Sequence, residues 1–313
     1  MNLTSSRAFP YAVVSLAACT WGTWALVLRS VEARWSMSPA TEATMTMAVI
    51  TIVSGLAMVG DRTHQHAPWS ARAWVVCSGF ADALNVLLFF EAYRRTIAVS
   101  VLTHYLMPVF VAAAAPFVLR EKLTARAALA IALSLAGLGA MVGPSITAAS
   151  GHLVLVSALL GAGSAVFYAT NVIANKFVAG SFSTNETLFW HGLVATPYLA
   201  AFVPPGAWAS LAPRGVVVFG ALAVFPGALA GMAFLWGLRR VPAAHASTLA
   251  LLEPLVATLL GTIFLGERAG LGAFVGGPLI LSGAVLVLGQ PAVAPRGRAL
   301  EGRGHSKNSD SAR

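Results

Sequence analysis

The sequence has few charged residues for its length. Of its 313 residues, 10% are Asp, Glu, Lys or Arg, whereas 58% are hydrophobic. Apolar runs of about 18 residues or more recur along most of the chain, and each is long enough to cross a bilayer as a helix. A water-soluble domain could not bury this much apolar surface, so the composition excludes that class. Backbone amides that face lipid must be bonded within their own segment, so we expect helices. The short alternating segments of transmembrane strands are lacking.

Cysteine is scarce as well. The two cysteines, Cys19 and Cys77, both lie in apolar runs, so no disulfide framework is predicted. The sequence also lacks H-E-x-x-H, G-x-x-x-x-G-K-[ST] and G-x-S-x-G, the motifs of zinc proteases, P-loop ATPases and α/β-hydrolases. We therefore predict neither a metal nor a cofactor, and we do not expect an enzyme.

The net charge of +9 comes from basic residues that are dispersed among short loops and the carboxy-terminal tail. They form no patch with interleaved aromatic residues, so we expect no nucleic-acid partner. If the amino terminus is cytoplasmic, the inside loops and tail hold 14 of the 20 Lys and Arg. Since these residues are retained on the cytoplasmic side during insertion, both termini are predicted to be cytoplasmic. The predicted location is a bacterial-type inner (plasma) membrane, with the lipid bilayer as partner.

The apolar runs number ten, and polar or Pro- and Gly-rich breaks separate them. This pattern predicts an all-α membrane protein with ten transmembrane helices. The predicted spans are 9–28, 40–60, 71–92, 98–119, 125–142, 151–174, 186–203, 215–237, 244–265 and 271–289.

The chain contains an internal repeat. The segment LMPVF at 106–110, followed by Glu121, is matched by LEPLV at 252–256, followed by Glu267. The two segments and the two glutamates are each 146 residues apart, the mark of a duplicated unit. Each half holds five spans, an odd number, so the halves are predicted to be inverted five-helix repeats. We place the first repeat at 8–145, the second at 150–290 and a disordered cytoplasmic tail at 291–313.

Several short motifs occur in a fixed order in the two halves. They are Trp21-Gly22, Ala92 with Ala98 to Pro108, and Arg120-Glu121-Lys122-Leu123 in the first, and Leu252-Glu253-Pro254, Leu265-Gly266-Glu267-Arg268 and the Gly/Leu-rich last helix in the second. Over residues 8 to 290 the chain resembles two EamA-type domains of the drug/metabolite transporter superfamily. The resemblance implies a ten-helix carrier that exports or exchanges small metabolites, often amino acids or drug-like compounds. It does not name the solute.

Some ionisable residues are predicted inside the bilayer, where a charge costs about 2.5–3.5 kcal/mol and usually faces a cavity, a partner or a proton path. They are Asp82, Glu91, His104, His191 and Glu253. Asp82 lies near the centre of the third span, with Asn85 one turn further on the same face. This pair is predicted to contact a polar solute or, alternatively, to bond between helices. Glu91 and His191 lie nearer to span ends, which favours structural roles.

Glu253 directly precedes Pro254, whose missing N–H frees a carbonyl one turn earlier. Beside this weak point the carboxylate is predicted either to bind a proton or cation or to hydrogen-bond across the bundle. Asp82 and Glu253 are therefore the predicted residues for proton or ion coupling. Pro108 and Pro254 interrupt equivalent spans and are the predicted gating positions. Met107 stands where the first half would match Glu253, so this carboxylate is not duplicated.

His104 and Tyr105 place an imidazole and a phenol where the family that this chain resembles has aliphatic or small residues. Aromatic residues near span centres also suit the apolar walls of an organic-solute cavity. The predicted substrate-binding residues are Trp21, Asp82, Asn85, His104, Tyr105, Tyr168, Asn171 and Trp236.

These features predict a secondary transporter, an exporter or exchanger of small organic metabolites that works by alternating access. Carboxylates within the bundle make proton exchange a reasonable energy source. A membrane-embedded enzyme is one alternative, although the scattered His and acidic residues form no reactive constellation. A non-transporting sensor or assembly subunit is another, although the longest polar segment is the tail. Both a monomer and a homodimer are left open.

Overall fold

The structure is a computed structural model that describes residues 8–32, 34–35, 37–61, 67–145, 151–267 and 270–288. Within these residues the chain is largely helical and contains no strand, which confirms the all-helical class. The predicted tail at 291–313 lies outside the described residues.

Fourteen α-helices occur in the described part of the chain. Those of the first half are α1 (Phe9–Trp21), α2 (Trp24–Glu32), α3 (Pro39–Met58), α4 (Trp69–Tyr93), α5 (Ile97–His104), α6 (Met107–Val118) and α7 (Ala125–Val142). Those of the second half are α8 (Gly151–Phe177), α9 (Thr184–Ala200), α10 (Pro213–Ala223), α11 (Ala230–Leu238), α12 (Ala243–Ala250), α13 (Leu252–Phe264) and α14 (Leu271–Leu288).

Polar side chains cap the starts of several helices. The Ser38 hydroxyl accepts the third N–H of α3, and the Thr124 hydroxyl does the same for α7. Before α9, Ser183 and Glu186 form a reciprocal capping box. Each cap satisfies amides that have no partner inside the helix, and this sets where the helix begins.

Two predicted spans are broken near their centres, at matching positions of the two halves. Tyr105 and Leu106 separate α5 from α6, and Leu251 separates α12 from α13. Pro108 and Pro254 follow the breaks. A proline ring clashes with the carbonyl four residues earlier, which here belongs to the last residue of α5 and of α12. The prolines therefore explain why each predicted span consists of two helices.

The first span is also divided, at Gly22 and Thr23. A Cβ added to Gly22 would lie 2.7 Å from the Val256 Cβ and 2.9 Å from the Glu253 carbonyl oxygen. Glycine thus allows the junction between α1 and α2 to contact the start of α13. The division of the first span lies directly against the break in the ninth.

Nine helical segments of the described chain are long and apolar enough to cross a membrane. In four of them, two consecutive α-helices form one segment, as in the two broken spans. The predicted seventh span corresponds to α9, which at 17 residues is shorter than each of these nine segments. By length and composition, the count is thus one short of the predicted ten.

Helix boundaries recur at the spacing of the sequence repeat. Helices α7 and α14 begin and end 146 residues apart, and so do α5 and α12. The turns after α6 and α13 also match, because Arg120 and Gly266 have positive φ angles of 58° and 69°. In each turn one carbonyl, that of Ala115 or Gly261, accepts the N–H six residues later. The local backbone is therefore duplicated together with the sequence.

The equivalent helices α7 and α14 pack against each other through glycines. A Cβ added to Gly276 would lie 2.2 Å from the Gly137 carbonyl oxygen, and one added to Gly272 would lie 2.1 Å from the Ala140 carbonyl oxygen. Small residues permit this close approach of backbones, a common mode of packing between membrane helices.

Replacing Gly276 with alanine is expected to lower the melting temperature, because the new Cβ would overlap the α7 backbone and overpacking costs about 1–3 kcal/mol. Thermal unfolding of the purified protein in detergent measures the change. Gly139→Ala is the matched control, since a Cβ there meets nothing within 4 Å and alanine is the better helix former. Equal melting temperatures for the two variants would contradict the packing role of Gly276.

Contacts at the helix ends define two opposite faces of the bundle. At the first, which we call the Glu121 face, the Ser183 hydroxyl donates to the Asp61 carboxylate at 2.5 Å. At the same face, Glu121 pairs with Lys176. These residues belong to loops and helix ends that the charge distribution predicts on the cytoplasmic side.

The opposite end is the Glu267 face. Arg29 approaches Glu267 there, and Trp35 packs on Gly215, where an added Cβ would lie 2.9 Å from the indole. Helix α9 begins directly after Ser183 at the Glu121 face, and the chain then continues to α10 beside Trp35. The α9 segment therefore joins the two faces.

Candidate functional site

A carboxylate–imidazole pair lies in the middle of the bundle. Asp82 is near the centre of α4, and its Oδ2 lies 3.0 Å from Nε2 of His191 in α9. The two side chains are only 14% and 5% accessible. Asn85 Nδ2 donates to Asp82 Oδ1 at 3.4 Å, and the Asn171 amide of α8 lies near the same carboxylate. Residues from α4 and α9 thus supply hydrogen bonds that a buried charge requires.

His191 belongs to this cluster, although it is not among the predicted substrate-binding residues. Its position favoured a structural role near a helix end, but the structure places it near the middle of α9. Gly79 allows α4 and α9 to approach, since an added Cβ would lie 2.7 Å from the His191 carbonyl oxygen. An imidazole inside an apolar run was the available signal. Its partner Asp82 is 109 residues away in the chain, so the pairing could not be predicted from the sequence.

A hydrogen-bond chain continues from Asn85 to His104. The Ser164 hydroxyl donates to Asn85 Oδ1 at 2.7 Å, and His104 Nδ1 lies 2.8 Å from the same hydroxyl. Because the hydroxyl proton is directed at the amide oxygen, His104 Nδ1 is the donor. Ser164 was not predicted, since a single serine in an apolar run has no distinguishing signal. The chain joins α4, α8 and α5.

Aromatic rings enclose the His104 imidazole. Tyr168 stacks on it with 5.3 Å between ring centroids and an interplanar angle of 21°. Phe89 lies 4.4 Å from it, and Tyr105 contacts it edge-on at 5.0 Å. These contacts set the orientation of the ring.

Tyr105 and Glu253 link the two broken spans. Tyr105 stands in the first break, and Glu253 is the second residue of α13, just beyond the other break. The Tyr105 side chain lies close to the Glu253 carboxylate, which remains partly accessible. Tyr105 also contacts His104 edge-on, and Tyr168 stacks on the same imidazole. The equivalent breaks therefore meet at a carboxylate, and Tyr105 joins this place to the hydrogen-bond chain of His104.

Two asparagines extend the cluster along α8. Asn175 Nδ2 donates to Asn171 Oδ1, and Asn171 in turn lies near Asp82. Asn175 is only 8% exposed, yet its Oδ1 has no hydrogen-bond partner among the residues that the structure describes. A buried acceptor without a partner is costly, so this oxygen marks a place for a donor.

Trp21 lies close to the helix breaks. Its ring packs on Phe234 with 4.6 Å between centroids. It directly precedes Gly22, which contacts the backbone of α13 at Glu253. The structure therefore places Trp21 next to the junction where α1 contacts the start of α13.

Trp236 is not brought together with the other predicted residues. It lies near the end of α11, where it packs edge-on against Phe9 at 5.6 Å. The Arg240 guanidinium lies 3.8 Å above its ring. Arg240 follows the end of α11 at the Glu121 face, so the Trp236 ring that it covers also lies at that face.

Glu91 lies at the end of α4, where it pairs with Arg94 and Arg95.

The polar groups of the site occur in one copy only. At the repeat spacing, Ala228 corresponds to Asp82 and Met107 corresponds to Glu253. The scaffold is duplicated, whereas its chemistry is asymmetric.

The profile of the EamA-like transporter family matches residues 8–143 and 155–289. The chain belongs to this family. It is 29% identical over 208 residues to an uncharacterized transporter of Archaeoglobus fulgidus, an alignment that covers 65% of this chain and 72% of that protein. It is 24% identical over 245 residues to the uncharacterized transporter YxxF of Bacillus subtilis, with coverage of 76% and 77%.

The fold of this EamA protein is similar to that of a solved crystal structure. The TM-score is 0.72 at 20% sequence identity, over 90% of this chain and 98% of the other. At that identity the likeness concerns the fold alone. Family membership confirms the resemblance predicted from the motifs and identifies the chain as a transmembrane transporter.

The EamA repeat places a glutamate at each face, and the two differ in their surroundings. At the Glu121 face, Lys176 Nζ lies 2.6 Å from Glu121, and the two side chains are 12% and 22% accessible. Glu121 also accepts the Ala243 N–H at 2.7 Å, and Lys176 donates to the Val241 carbonyl. This ion pair therefore ties α6 and α8 to the start of α12.

At the opposite face, Arg29 lies 3.7 Å from Glu267, with the two side chains 64% and 54% accessible. The two glutamates are 146 residues apart, and the basic residues are 147 apart. Exposed pairs contribute little to stability. The contact is thus repeated in both halves, but only one copy is buried.

Arg239 adds a second contact at the Glu121 face. Its guanidinium donates to the Phe182 and Ser183 carbonyls and to the Thr187 hydroxyl at 2.6–2.9 Å. Burial, followed by repulsion from Arg240, lowers the pKa of Arg239 to about 10. The side chain still carries its charge at neutral pH, and it holds the start of α9 to the end of α11.

Proposed function

We propose that this protein is a secondary transporter that exports or exchanges small organic metabolites across the membrane by alternating access. The observation that carries the proposal is the meeting of two equivalent helix breaks at Tyr105 and Glu253. Discontinuous helices at corresponding positions of two halves are the best pointer to a transport site. The relatives named as uncharacterized transporters support the general class.

The breaks supply both a site and moving parts. Pro108 and Pro254 leave carbonyls without intrahelical partners, and such groups are tolerated only against protein or a water-filled cavity. These two prolines are the proposed gating positions, because the half-helices can change angle there. Asp82 and Glu253 are the proposed sites of proton or ion coupling.

The proposed substrate contacts surround these breaks. They are Trp21, Asp82, Asn85, His104, Tyr105, Tyr168 and Asn171. They combine aromatic faces with a few polar groups, the usual composition of a small-molecule site.

We further propose that ten segments cross the membrane as two inverted five-helix repeats, at 8–145 and 150–290. The support is the 146-residue spacing of helix boundaries and the course of α9 from the Glu121 face to the Glu267 face. With the basic loops of the Glu121 face on the cytoplasmic side of an inner membrane, both termini are cytoplasmic.

The unequal ion pairs support a particular access state. The buried pair between Glu121 and Lys176 closes one face, whereas the exposed contact between Arg29 and Glu267 leaves the other loosely bridged. The two halves are related by the repeat. An opposite state, in which the Arg29–Glu267 contact is buried and the Glu121–Lys176 pair is exposed, therefore has similar local geometry. We propose that transport alternates between these two states.

Replacing Asp82 with asparagine is expected to reduce transport at least tenfold, since the amide keeps the shape but loses the charge that faces His191. Amino acids and amines are first screened with the purified protein by thermal shift. The initial rate of flux of each stabilising compound is then measured in proteoliposomes.

Glu91→Gln is the control, because it also removes a carboxylate but one at the exposed end of α4. We expect it to keep the wild-type rate. If no stabilising compound crosses faster than in protein-free liposomes, the transport proposal is wrong. Equal rates for wild type and Asp82→Asn would remove Asp82 from the mechanism.

A further inference from the structure

Two spans contain a discontinuity that their repeat counterparts lack. The first span is divided at Gly22 and Thr23, and the eighth contains a π-helical segment, Val224–Leu229, between α10 and α11. At the repeat spacing these positions correspond to residues 168–169 of α8 and 78–83 of α4, and both of those helices are continuous. The breaks in the fourth and ninth spans, by contrast, are duplicated. The two additional discontinuities separate α2 and α10, which lie towards the Glu267 face, from the rest of their spans.

Pro226 explains the π-helical segment. It has no N–H, so the Leu222 carbonyl lacks its α-helical donor, and the proline ring clashes with that carbonyl. After the proline, the Ala230 N–H reaches the Phe225 carbonyl five residues earlier. Prolines and π-helical turns are two of the few causes of sharp bends in helices, and π-helical turns occur frequently at functional sites. The eighth span therefore has a point of bending between α10 and α11.

Helices α2 and α10 share a small hydrophobic core. Val31 of α2 and Phe219 of α10 are fully buried in it, and Met45 of α3 also lines it. The Trp24 ring of α2 packs on the Phe219 ring with 6.3 Å between centroids. This core is separate from the main core of the bundle. The two helices can therefore keep their mutual packing when they move.

The two discontinuities lie next to each other. Trp24 is the first residue of α2, and its Cζ2 atom lies 3.5 Å from a Cβ added to Gly227 in the π-helical segment. On the other side of the junction, Gly22 contacts α13 at the Glu253 carbonyl oxygen. Hinges consist of a few residues at the ends of elements that absorb a change of backbone angles. Two adjacent hinges allow α2 and α10 to turn together as one body.

The contact between these two helices and the end of α13 is loose at the Glu267 face. Arg29 of α2 lies 3.7 Å from Glu267, and both side chains are exposed. The counterpart contact at the Glu121 face packs Trp74 against Phe177, but these residues belong to the continuous helices α4 and α8. Among the residues that the structure describes, the hinged arrangement thus occurs at one face only.

We infer that α2 and α10 form a hinged gate, which turns about Gly22–Thr23 and Val224–Leu229 and closes the Glu267 face against α13. The inference rests on the proposed alternating access, and it names the part of the molecule that moves at this face. Closure of the gate buries the Arg29–Glu267 contact, as the opposite state requires. The Glu121 face has continuous helices at the equivalent positions, so it opens by movement of whole helices.

Distances between spin labels, measured in lipid nanodiscs without solute, test the gate. The labels are attached to cysteines of the full-length protein in a background of Cys19→Ser and Cys77→Ser. One pair, Ser30→Cys with Leu271→Cys, joins α2 to the start of α14. The other pair, Ser30→Cys with Leu222→Cys, lies within the gate. All three labelled side chains are exposed.

Removal of the buried ion pair with Glu121→Gln/Lys176→Met is expected to favour the state in which the gate is closed, because this pair holds the Glu121 face shut. Ser30 lies about 10 Å beyond the first hinge. A tilt of about 30° then shortens the Ser30–Leu271 distance by about 5 Å. The Ser30–Leu222 distance is expected to stay the same, because both labels move together.

Glu91→Gln is the control for the ion-pair variant, since it removes an exposed carboxylate at the end of α4. Neither distance is expected to change. Pro226→Ala, added to the ion-pair variant, restores an N–H to the eighth span and is expected to reduce the shortening at least twofold. Pro197→Ala is its matched control, because this proline also lies inside a helix but in α9, and it is expected to leave the shortening intact.

The inference is overturned if the two distances change by the same amount, if the Ser30–Leu271 distance is the same with and without the ion pair, or if Pro226→Ala leaves the shortening unchanged. Because no solute is present, these results are independent of the transport proposal. A gate that closes in a protein without flux would refute transport and leave the gate in place. Flux in a protein whose gate keeps one position would support transport and overturn the inference.

Discussion

Joining cysteines placed at Arg29→Cys and Glu267→Cys with a short, cleavable thiol crosslinker is expected to reduce flux more than tenfold. The two side chains approach to 3.7 Å across the Glu267 face. A covalent link keeps this face from opening, so a solute admitted from the other side cannot leave. Solute flux in proteoliposomes before and after crosslinking measures the loss, and cleavage of the linker is expected to restore it.

The native cysteines require replacement first, because Cys77 is exposed. Serine at positions 19 and 77 gives a background without thiols. The single-cysteine variants at 29 and 267, treated with the same reagent, serve as controls and are expected to keep most of their flux. Unchanged flux after complete crosslinking would show that opening of the Glu267 face is not part of transport.

Replacing Lys176 with methionine is expected to lower the free energy of unfolding by about 3–5 kcal/mol, because it leaves a mostly buried Glu121 carboxylate without its counter-charge. The ion pair has an N–O distance of 2.6 Å. Denaturant or thermal unfolding of the purified protein measures the effect. Adding Glu121→Gln to this variant is expected to recover much of the loss, since the unpaired charge is then removed.

Arg29→Met is the matched control from the other repeat. Its partner Glu267 is 54% accessible, so water replaces the lost contact and the expected change is within about 1 kcal/mol. Comparable losses for Lys176→Met and Arg29→Met would contradict the unequal closure of the two faces.

Much of the fold was predictable from the sequence because its signals are local. Apolar runs located the helices, and α7 at Ala125–Val142 has the predicted boundaries. The motif order predicted the EamA family, which the match to both halves confirms. The sequence predicted ten spans, whereas nine segments of the described chain are long and apolar enough, because α9 is short and begins with polar capping residues. The breaks at Tyr105 and Leu251 were missed, since hydropathy does not distinguish one long helix from two half-helices.

The site was only partly predictable. Asp82, Glu253 and His104 were selected because ionisable groups in lipid are rare. His191 and Ser164 were not, although both bond within the cluster. Trp236 was selected for its position in a span, but the structure places it under Arg240.

The sequence by itself determined the membrane class, the family and the duplication, because these depend on composition and spacing along the chain. Only the tertiary structure decided which residues meet. The pairing of Asp82 with His191 and of Tyr105 with Glu253 depends on how each helix is rotated about its axis. It also depends on how closely glycines such as Gly22 and Gly79 let neighbouring helices approach. Likewise, the repeated ion pair is buried at one face and exposed at the other because packing between the halves, rather than local sequence, sets its environment.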